Sequence, residues 1–232
     1  MQNHPVYAGM METMDAAVGT VLTALEEAGV ADHTAVIFTS DNGGLSTAEG
    51  APTSNVPLRA GKGWMYEGGL RVPLIVRWPG EAKSGAVCDD YLISTDYYPT
   101  MLEMANLSPR PEQHVDGKSF APLLRGESEF DRGPIFWHYP HYGNQGGQPA
   151  AAIRDGDWKL VEFFENDAVE LYNLADDPRE QRDLSKDEPE RSAAMLAQLH
   201  RWQESVDAKF PTPNIHKVSS GPLPSTGRAR AG

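Results

Sequence analysis

The chain has 232 residues, with 33 Asp and Glu against 20 Lys and Arg and a formal net charge of −13. That length suits one large domain, or one with a small appendage, at about 100–200 residues per domain, and 40% apolar with 23% charged residues excludes disorder of the whole chain. Acidity with no basic patch argues against nucleic acid, no run reaches the roughly 18–20 apolar residues of a membrane helix, and Cys88 as the one cysteine excludes an internal disulfide and Cys-based zinc sites.

From Tyr7 to Leu25, apolar residues recur at steps of three and four (Tyr7, Met10, Met11, Met14, Val18, Val21, Leu22, Leu25). This spacing predicts an amphipathic helix that Gly29 can end. After a short turn at Ala31-Asp32-His33, the β-branched run from Thr34 to Thr39 predicts a strand buried on both faces, as in a parallel α/β sheet. Ser40-Asp-Asn-Gly-Gly44 follows, then an aperiodic loop of about twenty residues, a length that in compact domains usually marks function or disorder. A second strand is expected over Val72–Arg77, a helix over Ser94–Leu107 capped by Thr95 or Asp96 with Pro99 in its first turn, and a helical turn over Ser119–Leu124.

Past the charged, glycine-bounded stretch 125–133 the pattern changes to short strands. Ala151–Arg154 and Trp158–Phe163 flank Asp155-Gly156-Asp157, a hairpin signal, and Val169–Asn173 adds a third antiparallel strand. A last helix starts at Pro189 and places Leu196, Leu199, Trp202 and Val206 on one face. Beyond Phe210, proline, glycine and serine dominate, so residues 211–232 are expected to be a disordered tail.

The charge is unevenly spread. Glu165 to Glu190 holds ten acidic and three basic residues, whereas Val56 to Arg77 sets Arg59, Lys62, Arg71 and Arg77 against Glu67. An anion would therefore bind in the second segment. Asp41 and Asn42, at the carboxyl end of a strand where open α/β sheets place ligands, offer hard oxygens suited to Ca²⁺ or Mg²⁺. Gly61-Lys62-Gly63 lets backbone approach an anion while the ammonium supplies compact charge. Each signal alone also fits an ordinary turn or a solvated lysine.

Together they form an ordered series: Ser40-Asp-Asn-Gly-Gly44, Pro57-Leu-Arg-Ala-Gly-Lys-Gly63, Tyr66-Glu-Gly-Gly-Leu-Arg-Val-Pro73, Trp78-Pro-Gly80, Asp96-Tyr-Tyr-Pro-Thr100, Asp116-Gly-Lys-Ser119, Trp137-His-Tyr-Pro-His141 and Glu170-Leu-Tyr-Asn-Leu174. The series resembles the type I sulfatases of the alkaline-phosphatase-like superfamily over residues 5 to 210, their C-terminal half only. The resemblance implies an α/β fold, part of an α/β/α sandwich over 1–128. A small C-terminal α+β subdomain with an antiparallel sheet and a terminal helix would follow over 129–210. It also implies that Asp41 and Asn42 are metal ligands, usually for Ca²⁺ with Mg²⁺ the alternative, and that Lys62 is a catalytic, sulfate-contacting residue. Glu67 and Arg71 match motif positions but are expected to stabilise a turn.

The family's nucleophile is a formylglycine made from a Cys/Ser-x-Pro-x-Arg motif, which this sequence lacks, as it lacks the Asp-Asp metal pair. Both would belong to an N-terminal half. Cys88 lacks the motif and is expected to be a buried or incidental thiol, Asp89-Asp90 a solvated turn, and His4 matches no motif. The aromatic and glycine-rich stretch 137–147 fits equally a local aromatic core cluster with a mobile loop or a sugar-binding surface, and in the second reading His138 and His141 line the pocket. The expected substrate is a sulfated small molecule or glycan, with no nucleic acid and no membrane span. The complete protein would be a sulfuric ester hydrolase in a periplasmic or secreted setting, and this chain alone inactive. A phosphonate or phosphate ester hydrolase, or a non-catalytic remnant, are the alternatives.

Overall fold

A computed structural model describes residues 3–127 and 130–212. The chain divides into two units, one of residues 1–62 and 66–135, the other of residues 63–65 and those from 136 on. From residue 213 the expected tail lies outside the described residues.

In the first unit, α1 (Pro5–Glu27) begins with proline at a first-turn position, where the missing N–H costs nothing. The ring of His4 caps it, Nδ1 accepting the Tyr7 amide at 3.1 Å, which gives this motif-less histidine a structural role. Gly29 follows in the left-handed region at φ 69°. No residue of α1 is buried, and Val6, Met10, Met11, Met14 and Val21 all stand exposed. Of the apolar stripe predicted from its spacing, Tyr7, Val18, Leu22 and Leu25 are half-buried, while Met10, Met11, Met14 and Val21 are left exposed among the described residues.

β1 (Val36–Thr39) pairs antiparallel with β2 (Leu74–Arg77), Val36 opposite Arg77 and Thr39 opposite Leu74. This corrects the expectation of a doubly buried strand in a parallel sheet. The chain returns through a long loop to give β1 an antiparallel neighbour, and all four β1 residues are half-buried because no second layer of described residues covers both faces. Between them lies α2 (Glu67–Leu70).

α3 (Tyr97–Met104) and α4 (Ala121–Arg125) complete this unit. Asp96 precedes α3 but does not cap it. Its buried carboxylate instead accepts the amides of Ile93 and Lys118, each at 2.9 Å, and Arg132 Nε at 2.8 Å. Thr100 extends the network, donating to the Asp96 carbonyl at 2.6 Å and accepting the Phe120 amide at 3.0 Å. The Asp96-to-Thr100 and Asp116-to-Ser119 motifs therefore hold each other.

The second unit is a four-stranded sheet in the order β3 (Ile135–Tyr139), β4 (Ala150–Asp155), β5 (Trp158–Phe163), β6 (Ala168–Asn173). The β4–β5 hairpin closes at Asp155 opposite Trp158, leaving Gly156-Asp157 as a two-residue turn with Gly156 at φ 59°, the conformation such turns demand. α5 (Pro189–Ser205) packs Met195 and Leu199 onto Ala151, Ile153, Leu160 and Leu171, and Trp202 stacks on Phe136 with centroids 4.9 Å apart. Leu196 and Trp202 lie on the packed face as expected. Val206, by contrast, is 46% exposed, and the buried face takes Ser192 and Gln203 instead. Burial of α5's apolar face is what stabilises this helix, since propensity alone rarely does.

Candidate functional site

Asp41 and Asn42 leave the carboxyl end of β1, and their side chains touch, Asn42 Nδ2 donating to Asp41 Oδ2 at 2.5 Å. Asp41 is exposed and Asn42 half-buried. The turn behind them is set by contacts that only glycine allows. A Cβ on Gly43 would lie 1.7 Å from the Gly68 carbonyl oxygen, and the Gly43 amide donates to Gly69 O at 2.9 Å. The two glycine pairs, 43–44 and 68–69, thus cross at backbone contact.

Lys62 is joined to this turn directly, its amide donating to Gly44 O at 3.2 Å, and its side chain is exposed. The structure therefore brings the carboxylate–amide pair and the lysine onto one loop layer, though they are twenty residues apart in sequence. Asn55, which sequence reasoning missed, joins the same layer. Its Oδ1 accepts Gly44 N at 3.0 Å, and its Nδ2 lies 2.8 Å from Gly44 O, 3.1 Å from Ser46 Oγ and 3.0 Å from Ala60 O. An asparagine inside an aperiodic loop carries no periodic signal, so only the fold could single it out.

Glu67 is 2% exposed at the start of α2, and the Arg71 amide closes that turn on Glu67 O at 2.7 Å. Beside it, the Arg59 guanidinium stacks 3.7 Å from the Tyr66 ring centre, consuming one cation of the locally basic segment.

His138 and His141 both belong to the second unit. His138 is engaged at both ring nitrogens, Nε2 with Lys209 O at 2.8 Å and Nδ1 with Gln203 Nε2 at 3.2 Å, and its ring packs against Phe164 and Phe210. His141 is exposed and meets the Tyr139 ring edge-on at 5.4 Å. In the glycine-rich stretch, Trp64 Nε1 donates to Gln145 O at 3.0 Å, and a Cβ on Gly147 would lie 1.7 Å from Gly63 O. The three residues after Lys62 are thereby packed into the second unit.

Asp41 and Asn42 have the donor chemistry of a hard cation site but fill only part of its usual 6–8 oxygen positions. Among the described residues no three His, Cys, Asp or Glu side chains gather as a metal cluster. Cys88, expected to be buried or incidental, is exposed, its Sγ 3.3 Å from Asp90 Oδ2. Partial burial, more than the neighbouring carboxylate, raises its pKa, which disfavours the reactive thiolate. Asp89 and Asp90 are exposed, as a solvated turn requires. No helix among the described residues is long and apolar enough to cross a membrane.

Two family models match the chain: one described as sulfatase over residues 1–107, the other as the C-terminal part of N-sulphoglucosamine sulphohydrolase over residues 60–208. A sulfatase of Formosa agariphila is 41% identical over 209 residues, covering 82% of this chain and 37% of that protein. The crystal structure of Ps i-CgsB in complex with k-i-k-neocarrahexaose superposes with a TM-score of 0.77 at 31% identity, covering 90% of this chain and 44% of that one. The structure of BT4656 in complex with its substrate D-glucosamine-2-N,6-O-disulfate superposes with a TM-score of 0.68 at 26% identity, covering 85% and 39%. The chain thus spans 37–44% of the length of these relatives.

Proposed function

The chain belongs to the sulfatase family, and from that membership we propose that it forms the C-terminal portion of a sulfuric ester hydrolase. In this reading it contributes the metal-binding and sulfate-contacting side of an active site whose nucleophile comes from another part of the protein. The observation that carries the proposal is the Lys62 N to Gly44 O hydrogen bond, which ties the lysine to the turn bearing Asp41 and Asn42. Asp41 and Asn42 offer oxygens to a calcium ion, with magnesium the alternative. Such an ion, when bound, offsets negative charge on the sulfate oxygens. The Lys62 ammonium donates to a non-bridging sulfate oxygen, and that contact strengthens as charge builds there in the transition state.

The exposed part of the apolar face of α1, Val6, Met10, Met11, Met14 and Val21, supports the division of labour. An apolar face of that extent is normally covered, and the rest of the α/β domain is the cover proposed here. The substrate is a sulfated sugar or small molecule, and of the two histidines it is His141, with its ring exposed, that is available to it, since both ring nitrogens of His138 are already engaged.

The test is co-production of this chain with an N-terminal half that carries Cys/Ser-x-Pro-x-Arg, scored by sulfate release from aryl sulfates and sulfated sugars. The chain alone should release none, with or without calcium, whereas the pair should be active, lose activity to a chelator, and fall about 10²–10³-fold in kcat with Lys62→Ala. Sulfate release by the chain alone refutes a nucleophile located outside it. Preferential turnover of an aryl phosphonate moves the protein to that class of ester.

A further inference from the structure

The side-chain amide of Asn55 occupies a cradle that two glycines keep open. A Cβ on Gly44 would lie 2.8 Å from Asn55 Oδ1, and a Cβ on Gly61 would lie 2.7 Å from Asn55 Nδ2. Inside that cradle the amide grips both backbone groups of Gly44, accepting its N–H at 3.0 Å and donating to its carbonyl at 2.8 Å, in the manner of a neighbouring strand. The same Nδ2 reaches Ala60 O at 3.0 Å, a residue held at φ 57°, in the left-handed region that a non-glycine rarely adopts. Ser46 Oγ donates to that carbonyl as well, at 2.9 Å. Asn55 therefore bridges Gly44, two residues after Asn42, to Ala60, two residues before Lys62, and Gly44 O is the acceptor of the Lys62 amide.

We infer that Asn55 is a positioning residue that sets Lys62 relative to Asp41 and Asn42, a role that rests on the functional reading of those three residues. One side chain closes the gap between two loop segments that sheet pairing does not join. Misplacing a charged group by about 1 Å at a reacting centre costs on the order of 10²-fold in rate, so the clamp matters to chemistry without touching substrate.

Asn55→Asp is the informative variant. It is isosteric and keeps an acceptor for Gly44 N, but replaces the donating Nδ2 with a carboxylate oxygen that faces the carbonyls of Gly44 and Ala60. In this chain, amide exchange at Gly44 and Lys62 should accelerate about 10- to 100-fold in N55D while β5 amides keep their protection. In the complete sulfatase, kcat should fall about 10- to 100-fold with KM changed less than threefold, and Lys62→Ala should cost less in the N55D background than in wild type, as coupled residues do. Wild-type exchange and turnover in N55D, with K62A impaired, overturns the positioning role alone. Wild-type turnover in K62A instead sinks the functional reading, and with it this role. Should N55D not fold, the unmodified chain still decides the matter: Gly44 and Lys62 amides that exchange as freely as exposed loop amides overturn the clamp, and joint protection of the two supports it.

Discussion

The most demanding energetic feature of the second unit is the Lys159–Glu180 pair, with Nζ and Oε1 2.8 Å apart and both side chains fully buried. Lys159 stands on β5 opposite Arg154 and Tyr172, on the sheet face away from Leu160 and α5. Lys159→Met keeps the stem length and removes the charge, stranding the Glu180 carboxylate in the interior. Losing one partner of a buried pair costs about 3–5 kcal/mol, or about two to three and a half decades in the opening equilibrium at 1.4 kcal/mol per decade. Native-state hydrogen exchange of the β5 amides reads this directly. The double variant Lys159→Met with Glu180→Met should recover to within about 1 kcal/mol of wild type or exceed it, since apolar replacements of buried pairs are often neutral or stabilising. Protection in the single variant within tenfold of wild type would show that the pair is solvated. A double variant no better than the single would show that packing, not stranded charge, sets the loss.

Gly43→Ala should destabilise the first unit by about 1–3 kcal/mol, because its Cβ would meet the Gly68 oxygen at 1.7 Å; a thermal midpoint equal to wild type contradicts the crossing. Arg132→Met, which strips an almost fully buried guanidinium from fully buried Asp96, should cost well over the about 1 kcal/mol ceiling expected for Arg125→Met, whose partners Glu81 and Glu103 are substantially exposed; urea midpoints compare the two. Stability should also fall in acid. Burial raises the Glu103 and Asp183 carboxyls, but hydrogen bonds, from Ser119 and Arg125 to the first and from Leu171 and Ser185 to the second, outweigh it and hold both pKa values below their ordinary range. The folded state therefore binds fewer protons than the unfolded one. Their contribution is complete above about pH 5 and is lost as pH falls through the folded values. Alanine at both positions should flatten the unfolding midpoint between about pH 5 and 3.

Periodicity carried what is local. The helical stripe from Tyr7, the strand at residues 36–39, the hairpin about Gly156 and the helix from Pro189 were all legible, because side-chain spacing and turn chemistry act over a few residues. Order of motifs carried the family, and with it the expectation that Asp41, Asn42 and Lys62 act together. Partnership was not legible. That β1 pairs antiparallel with β2, that Asp96 binds Ile93, Lys118 and Arg132 instead of capping α3, and that His138 is engaged by Gln203 and Lys209 are each choices among many polar or apolar partners far apart in sequence.

The sequence by itself therefore determined the elements, the locally basic segment around Lys62 and the glycines that permit close backbone approach. Only the tertiary structure decided what those glycines approach and which side chain, Asn55, fills the space between them. The physical reason is range: φ preferences and hydrophobic period are properties of a residue and its near neighbours, whereas a hydrogen bond across a loop exists only once the backbone on both sides has been brought within about 3 Å.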